Sequence, residues 1–471
     1  MVSLFSGAGG FDHGFRMAGD HLLLANEKKE APCRTLNQHF PDGAQRLGTP
    51  CTPERSDLPA IVEGDITKLD LRRLSGLQPD VLIGGPPCQS FSVMKGQKRK
   101  GIKVQGGKLY QDFVAALAVL SPKVFVFENV QGLVSANRRE AYEKIKGHLA
   151  NPREFLRQRG KANLAGLDSS APGDCRYTIL HSGIVHGPNF GIPQMRKRLL
   201  IIGVRDDIVD EIGPFQREMY REQVRHRLSG GGRHFQNYPL TPLEVFEGDI
   251  LTNLQDRYQE VMEAYRSLPG DMPDHAPASQ WVKENIENRS LNIVEDYLRA
   301  NEIGKNLFST QSLEEAMVEH REVLDELGYL GTPVTEVETD DVSTERSQEK
   351  SSVRERMYRT PPGENYEFTR GTEWEVVGSG LSLIYRRPHP LSPAPAVVAY
   401  GGGGTYGYHY ERSRSMLTNR ERARLQTFRD DFSFSGTLSD VRYQIGEAVP
   451  PLMARRVAEE IRPIVEEVPD R

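Results

Sequence analysis

The chain has 471 residues, which at about 100–200 residues per domain predicts more than one domain and excludes a small disulfide-stapled scaffold. Lys and Arg total 60 against 65 Asp and Glu, a formal net charge of −5, so any nucleic-acid-binding surface has to be local. The four cysteines, at positions 33, 51, 88 and 175, form no C-x-x-C pair, which predicts a reducing, cytoplasmic setting without a zinc ribbon or other metal site.

Met1 to Phe11 is glycine-rich and lacks the basic lead and cleavage site of a signal peptide. It reads as structure from the first residue. Strands are predicted at Met1–Phe5, Leu22–Asn26, Val81–Gly84, Val124–Glu128 and Arg198–Val204, with longer mixed segments between them. Tyr110–Leu120 has helical spacing and Pro122 stops it. Strands alternating with helices make this an α/β domain. After Val204 the chain turns polar and strand signals fade, so a second domain is expected, with a helix over Ser312–Leu327. Thr332–Thr360 has almost no apolar content and predicts a mobile loop or a segment ordered on binding, and Tyr400–Tyr410, with Gly401 to Gly404, a flexible loop. A last helix is predicted over Pro451–Ile461, ended or kinked by Pro463. No apolar run approaches the ~20 residues of a membrane helix, and no membrane partner is expected.

Chemistry concentrates at the predicted strand ends. Phe5-Ser6-Gly7-Ala8-Gly9-Gly10 is a strand running into a glycine loop, which lets backbone approach a ligand where a Cβ would block it. Glu27 closes the second strand about 20 residues on, where a Rossmann-like unit places its ribose-hydroxyl acceptor. Asp12 stands where the dinucleotide fingerprint has its third glycine, and Gly64-Asp65-Ile66 follows a third apolar stretch. Without a phosphate-binding lysine, this row suits S-adenosylmethionine better than NAD or ATP. Val81–Gly84 breaks into Gly85-Pro86-Pro87-Cys88, whose prolines hold Cys88 on a defined loop at the end of a strand. Glu128 ends another apolar strand, where scarce water tends to raise a carboxyl pKa. Gln194, Arg196 and Arg198 alternate and are expected on one face, the guanidiniums suited to a carboxylate, a base oxygen or a phosphate. Met94–Lys103 is a basic, glycine-punctuated loop beside Cys88, and Lys95, Lys98, Arg99 and Lys100 are candidate phosphate contacts. The same reading extends to Arg217, Arg221, Arg225, Arg227 and Arg233 and to Arg354, Arg356 and Arg359.

In chain order these segments resemble the DNA (cytosine-5)-methyltransferase family: Phe5-Ser-Gly-Ala-Gly-Gly, Pro86-Pro87-Cys88-Gln89 with Ser90-Phe91-Ser92, Glu128-Asn129-Val130, Gln194-x-Arg196-x-Arg198, Leu417-Thr-x-Arg420-Glu421 and Gln444-Ile445-Gly446-Glu447-Ala448-Val449. The resemblance covers about residues 1–205 and 380–465. It implies a Rossmann-like S-adenosylmethionine-dependent methyltransferase sheet with a second, smaller target-recognition domain: residues 1–205 plus 437–471 catalytic, 206–436 recognition, the polar segment near 332–360 within it. It implies that Cys88 attacks carbon 6 of a flipped-out cytosine, that Glu128 grips nitrogen 3, that Arg198 orients Glu128 and contacts the base oxygen, and that Arg196 contacts phosphate. Phe5, Gly7, Ala8, Gly10, Glu27, Asp65, Ile66, Pro87, Glu447, Ala448 and Val449 would line the cofactor, and Gln89, Ser90 and Gln194 would meet DNA. The family usually has asparagine where this chain has Glu447. A prokaryotic modification enzyme is implied, acting as a monomer on double-stranded DNA in the nucleoid, with a cognate restriction endonuclease or other defence subunit as partner. A catalytically weak DNA-binding regulator and an RNA methyltransferase are the competing readings; Cys88, Glu128 and Arg198 argue against the first, Ser90-Phe91-Ser92 and the large recognition region against the second.

Overall fold

The structure, a computed structural model, describes residues 1–40, 45–48, 53, 57–87, 109–135, 139–159, 175–304, 307–376, 384–399 and 407–467. Cys88 and the basic loop after it, and most of the Tyr400–Tyr410 loop, lie outside the described residues. The chain divides into two compact units: residues 1–186, 197–231 and 449–471, and residues 187–196 and 232–448.

The first unit is built on an eight-stranded sheet: β1 Val2–Leu4, β2 Leu24–Glu27, β3 Gln45–Gly48, β4 Ala60–Glu63, β5 Val81–Gly84, β6 Val124–Val130, β7 Tyr177–His186 and β8 Lys197–Arg205. Their spatial order is β3-β4-β2-β1-β5-β6-β8-β7. The first six run parallel, and β8 lies antiparallel between β6 and β7. This is the Rossmann-like α/β sheet expected. Parallel strands are covered on both faces, so β1 and β5 are buried throughout; β5 reads as an unbroken apolar run, and β1 is interrupted only by the buried Ser3. The helix Tyr110–Leu120 is apolar on nearly every side and buried, with Phe113 edge-on to Phe125 and Phe127. β3 and β7 carry no such signal: both are edge strands, and half-buried residues interrupt the β7 pattern.

The helix Asp206–Leu228 belongs to this unit, although the sequence reading starts a new domain at Asp206. Ile208, Val209, Tyr220, Val224 and Leu228 form its buried face, and it bends at Gly213 before Pro214. Of its cations, Arg221 and Arg225 pair with Glu218 and Glu222 one turn earlier, and Arg227 lies 4.0 Å from Glu460. The last helix, Pro451–Glu467, runs through Pro463 instead of ending there; Ile461 and Ile464, both buried, hold it on either side. It packs on the helix Gly10–Met17 at Gly14, where a Cβ would meet the Pro451 carbonyl at 2.2 Å.

The second unit is helical and irregular, with only isolated β-bridges among its described residues. Residues 437–448, expected in the catalytic domain, fold here as the helix Leu438–Glu447. The segment expected to be mobile is built in. Asp341 accepts the Phe434 N–H and a bond from Arg420, Glu349 accepts the Met416 N–H at 2.9 Å and the Ser415 hydroxyl, and Ser343 and Met357 are fully buried. Its polar residues are partners for backbone and arginine groups elsewhere in the unit. Arg356 and Arg359 likewise donate to the Trp374 and Asp271 carbonyls. No helix among the described residues is long and apolar enough to cross a membrane.

Candidate active site

Strand order reverses direction between β1 and β5, and open α/β sheets bind ligands outside the carboxyl ends of strands at such a point. Both glycine loops leave the sheet there. After β1, Phe5 and Gly7 adopt positive φ (57° each) before the helix Gly10–Met17 begins. Nothing lies within 4 Å of where a Gly7 Cβ would stand, so the loop has an open face, while Ala8 and Gly10 are buried. The Gly7 and Lys29 N–H groups donate to the two carboxylate oxygens of Glu27 at 3.0 and 2.9 Å, and burial pushes the Glu27 carboxyl up from its ordinary pKa. Asn26, which the sequence reading passed over, donates to the Val62 and Gly64 carbonyls at 3.0 Å each and ties β2 to the turn after β4. That turn carries Asp65, paired with Lys28 at 2.8 Å and held down to about 2 chiefly by that bond. Ile66 is buried in the core cluster behind it.

Asp12 is fully buried, and neither carboxyl oxygen has a hydrogen-bond partner among the described residues; the neighbouring Ser3 and Ser6 hydroxyls bond each other at 2.8 Å. Burial pushes its pKa from 3.8 up to about 7. The folded chain thus holds a proton there that the unfolded chain loses near pH 4, and stability falls as pH rises from about 4 to about 7. Asp12→Asn is therefore expected to raise the melting temperature more at about pH 8 than at about pH 5. An equal offset at both would show that Asp12 does not titrate in this range.

The second loop faces β6. Glu128 is nearly buried, and its Oε1 accepts Arg198 Nε from β8 at 2.8 Å. A Cβ on Gly85 would stand 2.6 Å from Glu128 Oε2, so the glycine is what allows the carboxylate to lie against the loop. The next residue, Asn129, donates to the Pro86 carbonyl at 3.1 Å, while its Oδ1 accepts the Val130 N–H at 2.9 Å. Two successive residues of β6 therefore meet the loop that ends, in the described chain, at Pro87: Glu128 lies against it and Asn129 bonds it. Neither Gly85 nor Asn129 stood out as a site residue in the sequence; a glycine directly before a rigid proline pair was the available signal. Gly85→Ala should displace the Glu128 carboxylate from Arg198 and cut turnover about a hundredfold, the scale of a 1 Å misplacement, with the melting transition still cooperative. Unchanged turnover would show that the carboxylate position does not matter. Cys88, Gln89, Ser90, Lys95, Lys98, Arg99 and Lys100 lie outside the described residues.

Gln194 and Arg196 do not share a face with Arg198; both side chains are buried on backbone and side-chain partners, which is not the exposed placement expected of DNA contacts. Both fold in the second unit, at 0% and 1% exposure. Gln194 Nε2 donates to the Leu425 carbonyl (2.7 Å) and to Gln426 Oε1 (2.8 Å), and its Oε1 accepts the Val397 N–H (2.9 Å). The Arg196 guanidinium donates to the Val397, Gly446 and Ala448 carbonyls at 2.9, 3.1 and 2.7 Å. The period-two reading fails because β8 begins only at Lys197. Glu447 is exposed at the end of its helix, on backbone that Arg196 anchors from both sides; Ala448 is buried beside it and Val449 begins the return to the first unit.

The pattern of the C-5 cytosine-specific DNA methylase family matches residues 1–152 and 173–463. Among curated relatives, the DNA (cytosine-5-)-methyltransferase M.ApeKI of Aeropyrum pernix is 45% identical over 99% of both chains, and the type II methyltransferase M.NgoFVII of Neisseria gonorrhoeae is 27% identical over 98% of this chain and 86% of its own. A solved structure described as a prophage-encoded DNA modification methyltransferase of E. coli shares the fold, at a TM-score of 0.50 and 20% identity over 98% of each chain. With the family pattern spanning nearly the whole length and 45% identity from end to end, the chain belongs to the C-5 cytosine-specific DNA methylase family and is a DNA (cytosine-5-)-methyltransferase.

Proposed function

We propose that the chain transfers a methyl group from S-adenosylmethionine to carbon 5 of a cytosine flipped out of a specific duplex site, through a covalent bond between Cys88 and carbon 6. The observation that carries this reading is the Glu128–Arg198 pair, set against Gly85 of the loop that leads to Cys88. The cofactor fits the first unit: Glu27 offers carboxylate oxygens for ribose hydroxyls, Gly7 an open backbone face, and Asp65 and Ile66 a place for the base. When bound it supplies an electrophilic methyl group.

The residues do the rest. Cytosine carbon 6 becomes electrophilic when nitrogen 3 is held by a proton donor, so Glu128 grips nitrogen 3 while the Cys88 thiolate bonds carbon 6. Arg198 fixes the Glu128 carboxyl and faces the base oxygen. Electron density then moves to carbon 5, which accepts the methyl group; loss of the carbon-5 proton and of Cys88 restores the ring. Flipping costs a few kcal/mol of stacking and pairing, and Gln89, Ser90 and the cations Lys95, Lys98, Arg99 and Lys100 are suited to offset it by contacts to DNA. Relatives named type II methyltransferases support a place beside a restriction endonuclease, with this chain protecting the site.

A duplex carrying 5-fluorocytosine at the methylated position tests the chemistry, because fluorine does not leave as the proton does. With S-adenosylmethionine, a denaturation-resistant protein–DNA complex should accumulate, and Cys88→Ser should form none. No complex with the wild-type chain, or one that survives the serine substitution, overturns the mechanism.

A further inference from the structure

The second unit contains a cleft of about 320 Å³ whose wall includes Tyr258, Arg289, Asp296, Arg299 and His389. That volume falls at the lower end of the range for small-ligand sites. One wall is irregular: the helix Ala276–Val282 runs into a π-helical turn, Lys283–Glu287, a distortion that recurs at functional sites. Arg289 follows that turn. Its Nε donates to the Glu284 carbonyl at 2.7 Å, and its terminal nitrogens have no hydrogen-bond partner among the described residues.

The carboxylate of the cleft is already paired. Asp296 takes the Tyr258 hydroxyl at 2.9 Å on one oxygen and Arg299 on the other. His389 Nδ1 accepts the Leu391 N–H at 3.1 Å, so a neutral ring carries its proton on Nε2 as a donor. Burial lowers the His389 pKa to about 4, which keeps the ring neutral near pH 7. Among the lining residues, two guanidiniums against one carboxylate leave an excess of one positive charge. Guanidinium forks bind phosphate oxygens in pairs.

We propose that this cleft is a phosphate-binding site, with Arg289 and Arg299 holding the phosphate oxygens and His389 donating from Nε2. The phosphate comes either from the backbone of the bound duplex, which rests on the DNA-methylating function proposed above, or from a free phosphate ester.

Two measurements on the full chain separate these sources, using Arg289→Gln and His389→Asn; asparagine keeps an acceptor for the Leu391 N–H and removes the Nε2 donor. The first is the salt dependence of duplex binding. A backbone phosphate in the cleft makes the slope of log affinity against log salt shallower by about 0.9 in Arg289→Gln, and His389→Asn weakens binding at every salt concentration. The second is calorimetric titration with inorganic phosphate. A free-ester site binds phosphate in the wild-type chain, at least tenfold more weakly in each variant, and leaves the salt slope unchanged. Neither measurement depends on turnover, so failure of the methylation mechanism is read separately. Wild-type values for both variants in both measurements overturn the proposal.

Discussion

Glu128→Gln is expected to lower methyl-transfer turnover by about a thousandfold, within the range of a lost general acid, while S-adenosylmethionine affinity changes less than about twofold. Glutamine keeps the volume beside Gly85 and one hydrogen-bonding oxygen for Arg198, but its amide can only donate a hydrogen bond to nitrogen 3 of the base and cannot transfer a proton to it. The cofactor groups, Glu27 and the Gly7 loop, lie at the ends of β2 and β1 and do not bond Glu128 among the described contacts. Breaking a nearly buried ion pair is itself destabilising, so rates have to be compared well below the variant's melting temperature. Single-turnover methylation and equilibrium cofactor binding, measured on the same preparation, check the prediction. Equal losses in both would make Glu128 a structural residue.

Arg196→Met should destabilise the second unit by about 3 kcal/mol or more, since each buried carbonyl left without a donor costs about 1–3 kcal/mol. Three carbonyls take bonds from this guanidinium, those of Val397, Gly446 and Ala448, the last with a second, longer bond from Gln426 Nε2 at 3.5 Å. Methionine fills much of the aliphatic volume, so the loss is mainly one of hydrogen bonds. A phosphate-contacting arginine behaves in the opposite way: its loss leaves the denaturation midpoint in place and makes the salt dependence of DNA binding shallower. Urea unfolding and a salt titration of duplex affinity therefore decide between the two roles. An unchanged midpoint with a shallower salt slope would return Arg196 to the DNA.

The parts of the site that were legible share a physical character. β1, β5 and β6 are buried on both faces, so their apolar runs announce them, and the residues that follow them are the glycine loop, the proline pair and Glu128. The Glu128–Arg198 pair was anticipated from family resemblance, and the two residues meet at 2.8 Å. What stayed hidden was polar and long-range. Asn129 looks like an ordinary strand-end residue until its amide is seen on Pro86, and Asn26 until it bridges to Val62 and Gly64. The run 332–360 looks solvent-exposed because its acids outnumber its apolar residues, yet Asp341 and Glu349 are spent on groups about 70 to 90 residues further along the chain.

By itself the sequence determined the α/β class, the family and the order in which the chemical groups emerge at strand ends, because those depend on local apolar runs and on loops with few allowed backbone conformations. The resemblance already set Arg198 beside the acid; only the tertiary structure showed that Arg196 is buried as a brace. Arg196 and Arg198 are two residues apart and chemically identical, but one finds three backbone carbonyls from distant segments and the other a carboxylate on the neighbouring strand. Burial and partners separate them, and both are set by contacts between residues far apart in the chain.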